Sequence, residues 1–395
     1  MLKRTDQDDR VAATAMRITA LDRARTFITL LVLLHHSAVN YTYFGSGDRM
    51  RWLGFDLVVL FNDSFFMACM FLISGLFVCD SLTRKGSMTY RRIRAWRLGV
   101  PFLVSIFVLM PVAYYPTFLR YHLPGTTDFN FFHFWWHTLT IGPWPSGPAW
   151  FLWVLLALDA LAGVVWAVAP GAINALGQFI LARRDRTMAA FAAFLLFSVV
   201  IYLPMHLIVG DGAWLEPDGF PIPIQTSRIF LYAGYFFLGV GIGATNLRTG
   251  LLAEGGELAR RWPVWLGFAA IFYGAILFLV YVHHNWIADF NAPPPSWRVA
   301  YGVAFALFSA AMTSAEVSIF VRFAKSRFSL LDALRPSAYG IFLVHYIFII
   351  WLQYFVYDYS LPAFAKFAIV FVGTLSLSWG LVLLLRRIPL VARMI

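Results

Sequence analysis

Apolar runs of about 20 residues recur along the whole chain, and this length matches the ~30 Å hydrocarbon core of a bilayer when the run is helical. Of the 395 residues, 60% are hydrophobic and only 13% are charged. That apolar share exceeds what the core of a soluble domain requires. Because a bilayer offers no water to the backbone, such runs fold as helices. We therefore predict an all-α, polytopic integral membrane protein with about ten transmembrane helices. The predicted spans are residues 26–44, 58–80, 98–116, 149–169, 188–209, 228–246, 263–283, 298–320, 336–356 and 364–385.

The basic residues predict the orientation. Most of the 31 lysines and arginines lie in alternate inter-span segments, beginning with the N-terminal segment and ending with the C-terminal tail. The positive-inside rule then places both termini in the cytoplasm. The predicted organisation is a cytoplasmic segment (1–25), a membrane domain (26–385) and a cytoplasmic tail (386–395). The net charge of +11 is thus a topology signal, and no nucleic-acid partner is expected.

The two cysteines predict neither a disulfide nor a metal site. Cys69 and Cys79 lie in one apolar run. Ten helical residues separate them by about 15 Å, which is too far for a disulfide. The sequence also lacks the G-x-S-x-G, Walker and H-E-x-x-H patterns of common hydrolases, nucleotide-binding proteins and zinc proteases.

Two predicted outer segments have a distinct composition. Residues 117–148 are rich in Phe and Trp, which suits a segment at the outer headgroup level. Residues 210–227 carry Asp211, Glu216 and Asp218 beside a tryptophan. A carboxylate-bearing loop with tryptophan suits a polar substrate such as a sugar, and an ordinary solvated loop is an equal alternative.

The segment from Leu21 to Asn40 places a histidine deep in the predicted membrane. Arg25 and His36 are eleven residues apart. On a helix they fall within about 20° of each other and about 16 Å apart along the axis. With Arg25 at one membrane surface, His36 lies near the midplane, where ionisable groups are costly and usually functional.

Each of these two residues has a chemical and a structural interpretation. A buried neutral imidazole can take a proton from a hydroxyl group, and Arg25 can bind a phosphate at the cytoplasmic entrance. Alternatively, His36 only bonds a neighbouring helix and Arg25 is a positive-inside anchor. His35 is adjacent, although the helical phase of Arg25 favours His36 as the functional residue.

An arginine cluster precedes the third predicted span. Arg91, Arg92, Arg94 and Arg97 fall within seven residues, more than topology requires. They suit the phosphates of a nucleotide-containing donor or the headgroups of anionic lipids. Other ionisable residues in or near the spans are candidate partners whose spacing does not assign a role: Asp63, Asp159, His206, Glu316 and His345.

Four motifs together resemble the acyltransferase-3 family of integral membrane acyltransferases. They are the Arg25 and His36 pair, the Phe-Phe to Ile-Ser-Gly pattern ending at Gly75 with its arginine-rich loop, Trp150-Phe151-Leu152, and the segment from Ser337 to His345. Within the family, the opening residues and the segment 97–101 are similar to the glucan biosynthesis protein C branch. One departure is the lack of a glutamate shortly after Trp150, since the first acid there is Asp159.

The resemblance implies an O-acyltransferase of the cytoplasmic (inner) membrane. It implies transfer of an acetyl or succinyl group from cytoplasmic acyl-CoA to a hydroxyl of an outward-facing glycan, without a metal. His36 would be the catalytic residue and Arg25 its partner, while Arg91, Arg92, Arg94 and Arg97 would contact the donor phosphates. The expected partners are acyl-CoA, a glycan acceptor and the lipid bilayer.

Other functions compete with this interpretation. A proton-coupled transporter or flippase of a glycan or lipid would use His36 for proton coupling, and a scaffold for polysaccharide synthesis would not need His36. The sequence leaves open the acyl group, the acceptor, the oligomeric state and whether His36 acts as a base or as a transient acyl carrier.

Overall fold

The protein is a helical bundle. A computed structural model describes residues 2–45, 47–121, 130–141, 144, 146–215, 224–245, 250–253, 255–289 and 292–395. Glu216 and Asp218 of the predicted outer loop lie outside these residues. The α-helices are α1 (Leu2–Ala38), α2 (Leu53–Asp63), α3 (Phe66–Gly75), α4 (Val78–Lys85), α5 (Ser87–Arg94), α6 (Val100–Val104), α7 (Met110–Arg120), α8 (Phe131–Thr140), α9 (Trp150–Val168), α10 (Pro170–Leu181), α11 (Thr187–Val209), α12 (Ile229–Gly243), α13 (Glu257–Arg260), α14 (Trp262–Trp286), α15 (Pro295–Arg322), α16 (Ser329–Leu334), α17 (Ala338–Val356), α18 (Ala363–Leu385) and α19 (Pro389–Ala392).

Short segments connect or interrupt these helices. Two π-helical turns, Ala95–Gly99 and Ser105–Leu109, join α5, α6 and α7 into one continuous helical stretch. Single 3-10 turns occur at Val39–Tyr41, Gly147–Ala149, Thr226–Arg228 and Arg335–Ser337. The strands β1 (Trp214–Leu215) and β2 (Ile224–Gln225) form a two-residue antiparallel ladder.

The structure confirms an all-α polytopic membrane protein. In the described part of the chain, eight helical stretches are long and apolar enough to cross a bilayer, and they coincide with eight of the ten predicted spans. The other two predicted spans fall in α1 and α12. The 15 residues of α12 extend only about 22 Å, and α1 carries charged residues and two histidines. The orientation with both termini in the cytoplasm stays a prediction.

The helix α1 is continuous across the boundary predicted at residue 25. It packs on α15 and α17 in the bundle interior. Arg23, two residues before Arg25, anchors α1 by donating to the Asp332 carboxylate at 2.7 and 2.8 Å and to the Ala324 carbonyl oxygen at 2.8 Å. Most of α15 is buried, so α15 forms the core against which α1, α11 and α14 pack.

Backbone contact between α3 and α12 requires glycine. A Cβ on Gly239 would lie 2.1 Å from the Leu72 carbonyl oxygen, and one on Gly75 would lie 2.1 Å from the Phe236 carbonyl oxygen. Gly239 and Gly243 form a G-x-x-x-G pattern, and small residues at this spacing let membrane helices approach closely. The glycines of α12 therefore permit its close backbone contact with α3.

We expect Gly239→Ala to lower the stability of the folded protein by about 1–3 kcal/mol, because the added methyl group must push α3 and α12 apart. The measurement is the thermal unfolding midpoint of the protein purified in detergent. Gly274→Ala is the matched control, since a Cβ at Gly274 meets nothing within 4 Å. Equal midpoints for the two variants would contradict the close contact.

Candidate active site

His36 lies on the last turns of α1 and faces α17. The centroid of its ring is 5.4 Å from the ring centroid of His345 and 5.4 Å from that of Tyr346. Its Nδ1 lies 2.9 Å from the Val32 carbonyl oxygen. Because a carbonyl only accepts hydrogen bonds, Nδ1 carries the proton in the neutral ring. The Nε2 lone pair is then available to act as a base or a nucleophile.

His345 has the same arrangement. Its Nδ1 lies 2.7 Å from the Phe342 carbonyl oxygen, so it also donates from Nδ1. The side chain is fully buried, and Nε2 makes no hydrogen bond with the described part of the chain. Two imidazoles that each donate from Nδ1 thus lie side by side, from the first and the last of the four sequence motifs.

The turn before α9 contacts the same region. A Cβ on Gly147 would lie 2.5 Å from the Met110 sulfur and 3.5 Å from the Tyr346 ring. Gly147 also has a φ of +46°, a conformation that favours glycine. Tyr346 in turn contacts Tyr114 of α7, with ring centroids 5.6 Å apart. The turn that precedes the third motif thereby contacts Tyr346, a neighbour of the histidine pair.

Two side-chain amides connect the end of α1 to α17. The last carbonyl groups of a helix lack partners within the helix. Here Gln353 Nε2 donates to the His36 carbonyl oxygen at 3.1 Å, and Asn40 Nδ2 donates to Gln353 Oε1 at 2.7 Å. These bonds hold the backbone of His36 against α17 and limit the movement of its ring.

His35 faces a different side of α1. Its ring stacks on Phe66 with centroids 5.3 Å apart, and it lies 5.2 Å from the His36 ring. It interacts electrostatically with Asp63 and Arg228. Of the two adjacent histidines, His36 is therefore the one that meets His345.

Arg25 lies on the same continuous helix as His36. Its guanidinium is 5.1 Å from the centroid of the Phe77 ring and 3.7 Å from Asp22 Oδ1. About a third of the side chain (34%) is exposed. It lies within electrostatic range of Arg94 and Arg97. The structure thus brings Arg25 close to part of the arginine cluster.

Arg94 differs from the other arginines because a buried acid binds it. Its Nε lies 2.7 Å from Asp159 Oδ2 and its Nη2 donates to Asp159 Oδ1 at 3.2 Å. The Tyr90 hydroxyl also donates to Asp159, whose side chain has no solvent exposure. Asp159 is therefore the counterion of Arg94. Sequence reasoning named both residues and missed the pair, because 65 residues separate them.

The remaining arginines have looser surroundings. Arg92 and Arg97 are exposed, and Arg91 packs along Gly163. Arg97 lies in the first π-helical turn, where its carbonyl oxygen accepts a hydrogen bond from the Tyr339 hydroxyl at 2.7 Å. This contact joins the second motif to the fourth. π-Helical turns also occur often at functional sites.

The candidate active site therefore has two parts, the histidine pair and the arginine region around Arg25, and α1 contributes His36 to the first and Arg25 to the second. About 16 Å of helix separates them. No group of three or more His, Cys, Asp or Glu residues in the described ranges could hold a metal ion.

A family comparison agrees with this convergence of motifs. The family model for the acyltransferase domain of the acyltransferase-3 family matches residues 18–383. The chain belongs to the acyltransferase-3 family. It is thus a multi-pass membrane acyltransferase, and its helical bundle coincides with the matched region. A comparison with curated proteins found no significant match.

Proposed function

We propose that this acyltransferase moves an acetyl or succinyl group from cytoplasmic acyl-CoA to a hydroxyl of a periplasmic or cell-surface glycan. The observation that carries the proposal is the contact between His36 and His345. His36 lies on α1, 11 residues after Arg25. A donor whose phosphates bind at Arg25 would place its thioester toward the histidines. The enzyme would act in the cytoplasmic membrane, with the arginine region facing the cytoplasm.

Two chemical routes use His36. As a general base, Nε2 takes the proton of the acceptor hydroxyl while that oxygen attacks the thioester carbonyl, and the proton then passes to the departing CoA thiolate. As a nucleophile, Nε2 itself attacks the thioester and expels CoA as a thiolate; the hydroxyl then takes the acyl group from the imidazole, and its proton passes to the thiolate. Trapping an acylated His36 in the absence of acceptor would favour the second route.

Arg25, Arg92 and Arg97 are proposed to bind the donor phosphates, since their guanidinium groups are at least partly exposed. Charge-assisted bonds between arginine and phosphate are stronger than neutral hydrogen bonds. Arg91 is a fourth proposed contact. The proposed contribution of Arg94 is mainly to position its neighbours, because Asp159 already binds its guanidinium.

The test is an acyl analysis of envelope glycans from cells with and without the gene. We expect one ester to disappear in the deletion strain and to return when the wild-type gene is restored, because the proposed acyl transfer depends on this enzyme. Mass spectrometry of the released glycans also identifies the acyl group. An unchanged ester profile, with a glycan or lipid accumulating on the cytoplasmic side, would contradict acyl transfer and support a transporter or flippase.

A further inference from the structure

A cluster of charged and aromatic side chains lies at the end of the bundle predicted to face outward. We call it the outer cluster and define it as Asp63, Trp150, Asp211, Trp214 and Arg228. These residues come from the end of α2, the start of α9, the turn after α11, the strand β1 and the turn before α12. Tyr232 connects the charged and the aromatic residues, because it lies one helical turn after Arg228 and its ring stacks on Trp150.

One buried arginine organises the carboxylates. Arg228 donates to the Asp63 carbonyl oxygen at 2.9 Å and to its carboxylate at 2.6 Å, and lies 3.8 Å from Asp211 Oδ1. The arginine side chain is only 4% exposed, whereas the aspartates are 37% and 35% exposed. Arg228 Nε is buried and makes no hydrogen bond within the described ranges. A buried donor without a partner is costly, and an acceptor group of a ligand would satisfy it.

The aromatic side of the cluster is held in a fixed geometry. Trp150 stacks on Tyr232 with centroids 5.5 Å apart and meets Trp214 edge-on at 5.7 Å. Trp214 pairs with Gln225 in the two-strand ladder, and the Tyr232 hydroxyl donates to Gln225 Oε1 at 2.7 Å. Trp214 nevertheless remains 45% exposed. A large ring held in place and open to solvent can form part of a binding surface.

The outer cluster borders the histidine pair through His35. The His35 ring stacks on Phe66, three residues after Asp63, and lies 5.2 Å from the ring of His36. A ligand bound between the carboxylates and the tryptophans would therefore lie next to the candidate active site, on the side opposite Arg25.

We propose that the outer cluster binds the acceptor as a sugar ring. A sugar ring has an apolar C–H face, which would pack on Trp214 and Trp150, and hydroxyl groups around its edge, which would donate to Asp63 and Asp211. One hydroxyl would then be directed past His35 toward His36. This inference rests on the proposed acyl transfer to a glycan and assigns the binding site for that acceptor.

The first test measures binding without a donor. The probe is the oligosaccharide fraction released from the envelope of the deletion strain, observed by saturation-transfer NMR with the full-length protein in nanodiscs. We expect Trp214→Ala to weaken binding about tenfold because the stacking surface is lost, and Trp214→Phe to retain most of it. The matched control is Trp286→Ala, which removes another exposed tryptophan at the outer end of the bundle.

The second test separates this inference from the proposed function. With acetyl-CoA and succinyl-CoA as donors, Trp214→Ala should raise the half-saturating acceptor concentration and leave that of the donor unchanged. If Trp214→Ala and Trp286→Ala bind and react equally while wild type forms the ester, the outer cluster is not the acceptor site. If wild type binds the oligosaccharides at the outer cluster and forms no ester, acyl transfer fails and sugar binding stands. Absence of both binding and ester overturns both proposals.

Discussion

The variant His36→Ala is expected to lower the rate of ester formation by about 10²- to 10⁴-fold, the usual contribution of a positioned base. The His36 ring packs against His345 and Tyr346 of α17, and alanine cannot replace proton transfer or nucleophilic attack by an imidazole. The measurement is the rate of transfer from acyl-CoA to envelope oligosaccharides by the protein in nanodiscs. The half-saturating donor concentration should hardly change, because the donor phosphates are proposed to bind about 16 Å away at Arg25.

The matched control is His35→Ala, one residue earlier. His35 stacks on Phe66 and does not share the contact with His345. We expect this variant to keep its rate within about tenfold of wild type, since it does not remove the proposed base. If a folded His36→Ala protein acylates as fast as wild type, or if His35→Ala has the larger effect, His36 is not the catalytic residue.

The variant Arg94→Ala should destabilise the protein by about 3–5 kcal/mol, the cost of leaving a buried charge without its partner. Asp159 has no solvent exposure, and without Arg94 its one remaining hydrogen bond within the described ranges is that from Tyr90. The measurement is the thermal unfolding midpoint of the purified protein, together with the fraction that survives extraction from the membrane as a folded monodisperse species.

Two comparisons assign the effect to the ion pair. Arg92→Ala removes an exposed arginine of the same cluster and should leave the unfolding midpoint unchanged. The double variant Arg94→Ala and Asp159→Ala should be less destabilised than the sum of the single variants, because neither buried charge then remains unpaired. A normal midpoint for Arg94→Ala, with weaker donor binding instead, would assign Arg94 to the donor phosphates.

Helix positions were largely predictable from sequence because the bilayer imposes one length scale on every span. Eight predicted spans coincide with helices that meet that requirement. The two that do not, in α1 and α12, are packed inside the bundle. The reasons differ: α1 carries charged residues and two histidines, whereas α12 is strongly apolar but has only 15 residues.

Pairs within one helix were also accessible from sequence. Arg25 and His36 lie on one continuous helix, as their spacing predicts, and fixed helix geometry determines their separation. Their assignment as donor-binding and catalytic residues stays a prediction. The sequence therefore determined the class of fold and the one helix on which the candidate site is built.

Partners that are distant along the chain were decided only by tertiary structure. Arg94 binds Asp159, Arg228 binds Asp63 across 165 residues, and His36 meets His345. Sequence reasoning named most of these residues as ionisable groups in or near spans, without their partners. The physical reason is that the packing of the helices determines which buried charged groups and polar rings lie close enough to interact. That packing depends on close contacts such as the one at Gly239, where the local G-x-x-x-G pattern marks a close approach but does not specify the partner helix.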